Sequence, residues 1–289
     1  MSLPKFSTLP LDLSPLPGAA PSYDLPSFIH GLPGIAPYHR GTEPVVNAAR
    51  PWIIRESAAP LAGETLITLS VDDVLPALLP AGAGPVLISG VALRAAGASL
   101  DLELAWTLCA ALDALKASSG TDPDRSAARL SVVWAIGADY FPEVARLRAA
   151  RLLWAEAVAA LGAKDPRSLA LKVHGVAPAS SVSRATLAAM AAGSGQVGAL
   201  HLAACTDATG RMPATLQQIA QRELGLNRVL DPWGGSRYLE GLTEALITRA
   251  RAHMAEVAAA GGLAEATGSG LLRRRLREAT EQDRADQGR

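Results

Sequence analysis

The chain has 289 residues, 49% of them hydrophobic, enough apolar material for one large core or two small ones. Its 27 basic residues balance 27 acidic ones. A neutral chain has no electrostatic footprint for nucleic acid or an anionic membrane surface, so neither is an expected partner. No run reaches the ~20 apolar residues that a bilayer span requires.

The first 37 residues carry Pro4, Pro10, Pro15, Pro17, Pro21, Pro26, Pro33 and Pro37. Proline fixes φ and donates no amide hydrogen, which excludes a helix or a central strand there. Leu9, Leu11, Leu13, Leu16, Leu25, Phe28 and Ile29 make the stretch too apolar for a solvated tail. Residues 1–63 therefore read as an extended arm lying in a groove of this chain or of a partner. The arm is proline-rich rather than basic and then apolar, so no signal peptide is expected and the protein is expected to be cytoplasmic.

From residue 64 onward strand and helix patterns alternate. Strands are predicted at Thr65–Leu69, Val86–Gly90, Leu130–Ile136, Ser168–Val173 and Gly198–Ala203. Helices are predicted at Asp101–Ala117, Pro142–Leu161, Arg184–Ala192 and Pro213–Leu224. In the second helix Val144, Leu147, Ala150, Trp154, Val158 and Leu161 form one stripe, with the charges placed elsewhere. From about 236 the chain reads as helical, ending in the mixed-charge run RRRLREATEQDRADQGR. Alternation with short connections implies right-handed βα units and a parallel sheet, an α/β fold of TIM-barrel type. Residues 64–235 span about 170 positions, short of the ~250 that eight complete units take, so the barrel is expected to be incomplete. Cys109 and Cys205 lie in apolar segments without CxxC spacing and read as buried reduced thiols.

Four blocks carry a resemblance: PYHRG…ARPWIIRES (37–57), ISGVALRAAGASLDLELAWTL from Ile88, ARLSVVWAIGADYFPEVARLRAARLLWAE (128–156) and RVLDPWGGSRYLEGLT (228–243). Together they resemble the substrate-binding barrel of the methylmalonyl-CoA mutase family. That family interconverts methylmalonyl-CoA and succinyl-CoA with adenosylcobalamin, threading the pantetheine arm of the thioester through the barrel. The resemblance implies a CoA site at Arg50, Arg55, Arg129, Ser131 and His174. Guanidinium groups suit phosphate and carboxylate through charge-assisted bonds. The same arginines also suit structural ion pairs, and a strand-end histidine suits a hydrogen-bonded structural role. The Asp231–Ser236 turn is likewise open to two roles, a structural joint or a contact to the CoA nucleotide.

The family's reactive positions are changed. Its strand-end Tyr-His pair falls on Val91 and Ala92, two of its tyrosines fall on Glu43 and Ser57, and a glutamine falls on Val176. Several strands of the family's barrel are missing between Leu79 and Pro85. None of His30, His39, His174, His201 and His253 lies in the Asp-x-His-x-x-Gly loop that ligates cobalt in the family, and no catalytic residue or metal site is expected here. The resemblance thus implies a catalytically silent, small-subunit-type chain that dimerises with a large mutase chain or with itself. Adenosylcobalamin would then reside on the partner. Two alternatives are an active acyl-CoA mutase barrel served by a separate cobalamin-binding chain, and a CoA-ester binding module acting alone.

Overall fold

The computed structural model describes residues 32–43, 50–71, 84–118, 122–177, 181–203, 211–226, 228 and 231–287. Leu130–Ala135, Leu-Ser-Val-Val-Trp-Ala, is buried at every position. A strand covered on both faces belongs in a parallel sheet. It is the fourth strand of six: β1 (Ile53–Arg55), β2 (Thr65–Thr68), β3 (Val86–Ser89), β4 (Leu130–Ala135), β5 (Lys172–Ala177) and β6 (Ala199–Leu202). Every neighbouring pair is parallel, in the order β1-β6-β5-β4-β3-β2. β1 and β2 follow each other in the chain yet form opposite edges of the sheet. Among the described residues that is the cyclic order of a βα barrel left open between β1 and β2. The α/β class and the incomplete TIM-type barrel expected from the sequence are both present.

Helices α1 (Val91–Ala95), α2 (Leu100–Ala117) and α3 (Pro123–Ala128) connect β3 to β4. Helices α4 (Tyr140–Ala160) and α5 (Pro166–Leu169) connect β4 to β5, and α6 (Val182–Ser194) connects β5 to β6. After β6 come α7 (Met212–Arg222), α8 (Arg237–Ala259), α9 (Leu263–Gly268) and α10 (Leu271–Gln287). None of the described helices is long and apolar enough to cross a membrane. Leu130, Val132 and Trp134 of β4 face outward into one core with Trp106, Leu147 and Trp154. Each such buried side chain contributes roughly 1.5–3 kcal/mol. The intervening Ser131, Val133 and Ala135 point to the other side, here called the inner face.

Three expectations are corrected. The strand predicted at Ser168–Val173 begins four residues later, at Lys172. Pro166 opens a helical turn, the Asp165 carboxylate accepts the Arg167 amide at 2.9 Å, and the Trp154 indole donates to the Ser168 carbonyl at 2.9 Å. These contacts hold 166–169 out of the sheet. Secondly, Ile53–Arg55 lies within the stretch read as an arm, yet it pairs with β6 as an edge strand. Residues 1–31 and 44–49 lie outside the described residues, as does Cys205. Thirdly, α4 does not segregate its charges from its apolar stripe. Glu143, Arg146, Arg148 and Arg151 are all buried with Val144, Leu147, Ala150, Trp154 and Val158.

Charges so placed must be paired, because a lone buried ion costs several kcal/mol. Arg146 reaches Glu103 at 2.5 Å, Glu143 at 2.6 Å and the Ala135 carbonyl at 2.7 Å. Glu103 in turn accepts the Ala135 amide and Glu143 accepts the Gly137 amide, tying the end of β4 to α2 and α4. A second group joins Arg40 and Arg148 to Asp231 and Glu240. Trp233 donates to the Tyr140 hydroxyl at 2.7 Å, and Ser236 caps α8. The Asp231–Ser236 turn is therefore a joint between the Tyr38–Arg40 segment, α4 and α8. Cys109 is buried in α2, and burial pushes its thiol up to about 12.

Candidate ligand site on the inner face

Parallel pairing stacks the inward side chains in three layers. Nearest the strand starts, Leu87, Ser131 and Lys172 are in register. In the middle stand Ser89, Val133, His174, Ala199 and Ile53. Nearest the carboxyl ends stand Ala135, Val176, His201 and Arg55. In α/β folds the carboxyl ends are where chemistry is mounted. Here Arg55 and His201 are the polar members of that last layer, and Ala135 and Val176 offer only methyl groups.

The five residues expected at a CoA site do not converge on one point. Arg50 is exposed near the strand starts and lines a cavity of about 690 Å³ together with Ile53, Lys172, His174 and Gln196. A second cavity of about 820 Å³ shares Thr42, Glu43 and Lys172 with the first and adds Arg125 and Arg167 together with Asp122, Asp124 and Asp165, the last of which pairs with Arg167. Arg55 meets His174 but not Arg50: its Nη1 lies 3.3 Å from His174 Nδ1. Its Nη2 donates to the Ala59 carbonyl at 2.6 Å and to Glu64 at 3.3 Å. Ser131 is buried on the inner face beside Lys172. Arg129 stands apart. Its Nε donates to the Gly84 carbonyl at 3.0 Å, clamping the approach to β3 to the start of β4.

The histidines have defined tautomers. A guanidinium only donates, so His174 Nδ1 is the acceptor and its proton sits on Nε2. Burial first and the Arg55 charge second hold the His174 pKa below the ordinary histidine value. His201 Nδ1 lies 3.1 Å from the Arg55 carbonyl, so that nitrogen carries the proton. The sheet thus holds one ring as a neutral N–H donor and pins the other to β1.

Val91 and Ala92, where the family carries its Tyr-His pair, open α1 and are half-buried; Ser57 is exposed. Among the described residues no three His, Cys, Asp or Glu side chains are grouped so as to hold a metal ion. Reading the sequence missed Lys172, His201 and Glu64. The first two were accessible in principle: His201 alternates with Leu200 and Leu202 inside a predicted strand, and a correct start for β5 puts Lys172 in phase with His174. Glu64 had no signal, because a loop brings it to Arg55.

Residues 81–289 match the family model described as Methylmalonyl-CoA mutase. A methylmalonyl-CoA mutase large subunit from Streptomyces virginiae is 42% identical over 224 residues, 71% of this chain and 31% of that protein. A large subunit from Porphyromonas gingivalis is 40% identical over 218 residues, 69% of this chain and 30% of its own length. The methylmalonyl-CoA mutase of Escherichia coli is 40% identical over 223 residues, 70% of this chain and 31% of that protein. This chain therefore spans about three tenths of the length of these curated relatives, and it belongs to the methylmalonyl-CoA mutase family.

Proposed function

We propose that this chain is a catalytically silent, small-subunit-type barrel that pairs with a B12-dependent mutase chain, the partner carrying adenosylcobalamin and interconverting methylmalonyl-CoA and succinyl-CoA. The observation that carries the reading is the chemistry of the carboxyl-end layer. Val91, Ala92, Ala135 and Val176 present no side-chain donor to a rearranging thioester carbonyl, Arg55 already has Glu64, Ala59 and His174 as partners, and His201 commits its proton to the Arg55 carbonyl. Preorganised donors at such a carbonyl are each worth a few kcal/mol of barrier, so their loss removes the radical step while leaving the scaffold. Among the described residues no strand covers the outer edges of β1 and β2, which supports a partner chain, since parallel edges are ordinarily covered.

At the other end of the strands the cavity with Arg50, Lys172 and His174 carries more cations than carboxylates and suits the phosphates of a CoA ester. Binding there does not require catalysis. The test is affinity capture from the native host with mass spectrometry, followed by turnover assays. The expected result is recovery of a cobalamin-binding mutase chain. Turnover of methylmalonyl-CoA by the purified chain plus coenzyme alone would refute the proposal.

A further inference from the structure

We infer that Arg55 is the centre of a carboxylate seat, and that this chain fills the seat with its own Glu64. The Arg55 side chain is 8% exposed, at the carboxyl end of β1 on the inner face. Its Nη1 faces His174, and its Nη2 is shared between the Ala59 carbonyl and Glu64. The Nε is buried and has no partner. A guanidinium with a free Nε retains half of the fork with which it grips a carboxylate in two parallel bonds. Glu64 does not use that half. It makes a single 3.3 Å contact, and the same oxygen also takes the Leu61 amide at 2.7 Å.

The side that holds Glu64 is the weak one. Residues 56–63, which carry it, are exposed throughout, whereas Arg55 and His174 stand on paired strands of the sheet. A rigid, nearly buried cation is thus covered by a monodentate carboxylate on an exposed link. A free carboxylate that engages Nε as well as an Nη makes the better contact and displaces it. The nature of the natural ligand rests on the reading of the inner face as a thioester channel; the existence of the seat does not.

The test uses succinate as probe, with neutral succinamide as control, on the full chain and on E64Q. The glutamine oxygen still accepts the Leu61 amide but leaves Arg55 without its counter-charge. Calorimetric titration is expected to show E64Q binding succinate at least tenfold more tightly than the unaltered chain, ignoring succinamide, and losing the gain in R55Q/E64Q. A folded E64Q with unchanged succinate affinity, or a gain that persists in the double variant, overturns the inference. Should E64Q fail to fold, the unaltered chain decides. Its Leu61 amide resonance shifts on titration with succinate if Glu64 is displaced, and an unmoved resonance at molar succinate overturns the inference. CoA itself, which has no acyl carboxylate, is titrated in parallel. Absence of CoA binding alongside succinate binding by E64Q removes the channel reading and leaves the seat; CoA binding without a succinate effect does the reverse.

Discussion

Glu103 and Arg146 meet at 2.5 Å with no solvent exposure on either side chain, and Glu143 shares the same guanidinium. Two carboxylates on one cation leave one negative charge uncompensated in a dry site. Burial is the largest cause acting on Glu103, opposed by Arg146 and reinforced by Glu143, and it raises the carboxyl from 4.5 to about 7. Below pH 4.5 Glu103 is protonated whether the chain is folded or not, so it costs nothing. Between 4.5 and 7 the unfolded chain ionises first, and stability falls as pH rises; above 7 the loss stays constant. The full loss is on the order of 3 kcal/mol. Urea unfolding at pH 5 and pH 8 is expected to show that E103Q loses less stability over this interval than the unaltered chain. Equal losses would mean that Glu103 is ionised throughout.

Arg148 is held by Asp231 at 2.5 Å and Glu240 at 2.6 Å, with its side chain 3% exposed. R148M strands two carboxylates on Arg40 alone and is expected to cost about 3–5 kcal/mol. The exposed pair Arg251–Glu156 has similar geometry at 2.6 Å, with side chains about half exposed. R251M is expected to cost under ~1 kcal/mol. Chemical denaturation of both variants checks the contrast, and equal costs would contradict it.

Gly90 ends β3 where side chains close in. An added methyl would lie 2.4 Å from Thr107 Oγ1, 3.1 Å from Glu103 Cγ and 3.2 Å from Trp134 Cδ1. G90A is expected to lower stability by about 1–3 kcal/mol, read as a fall in Tm. G162A serves as the control for crowding: nothing lies within 4 Å there, and its cost arises from a φ of +96°.

If the cavity with Arg50 and Lys172 at the strand starts holds CoA phosphates, its cations set the affinity. R50A and K172A are each expected to weaken CoA binding about tenfold, or ~1.4 kcal/mol. The effect should shrink as salt rises. R129A, which removes the clamp to Gly84, is expected to lower Tm instead. A CoA affinity indifferent to Arg50 and Lys172 places the nucleotide elsewhere.

How much was legible depended on whether a residue's role was local. The run Leu130–Ala135 is apolar apart from Ser131 and centred on Val132, Val133 and Trp134, so it reads as a covered strand without a structure. α2 and α6 lie where helices are predicted, at Asp101–Ala117 and Arg184–Ala192, although the Ser181 cap starts α6 two residues earlier than the pattern does. Ser168–Val173 looked like a strand because its residues suit one, but a proline, an aspartate cap and a tryptophan hydrogen bond from a distant turn outweighed that preference. The charges of α4 fall off its apolar stripe in the sequence yet are buried in the fold: helical spacing shows which positions share a side, not whether that side meets water.

Arg50, Arg55, Arg129, Ser131 and His174 were nameable in advance by resemblance, yet their relationships were not. Arg129 and Arg55 are alike as residue types. One holds a backbone carbonyl at the start of β4, and the other holds a glutamate and a histidine at the end of β1.

The alternation of five strands with the longer helices, the covered parallel sheet and the shortage of strands were written in hydrophobic period and chain length, whereas the edge strand Ile53–Arg55 was not. Which cation faces which carboxylate was settled only when segments far apart in the chain were packed together. Arg40 lies 191 positions from the aspartate it binds, and Arg55 nine from its glutamate across an exposed link. Coulomb and hydrogen-bond energies fall off over a few ångströms, so no pattern along the chain could determine them.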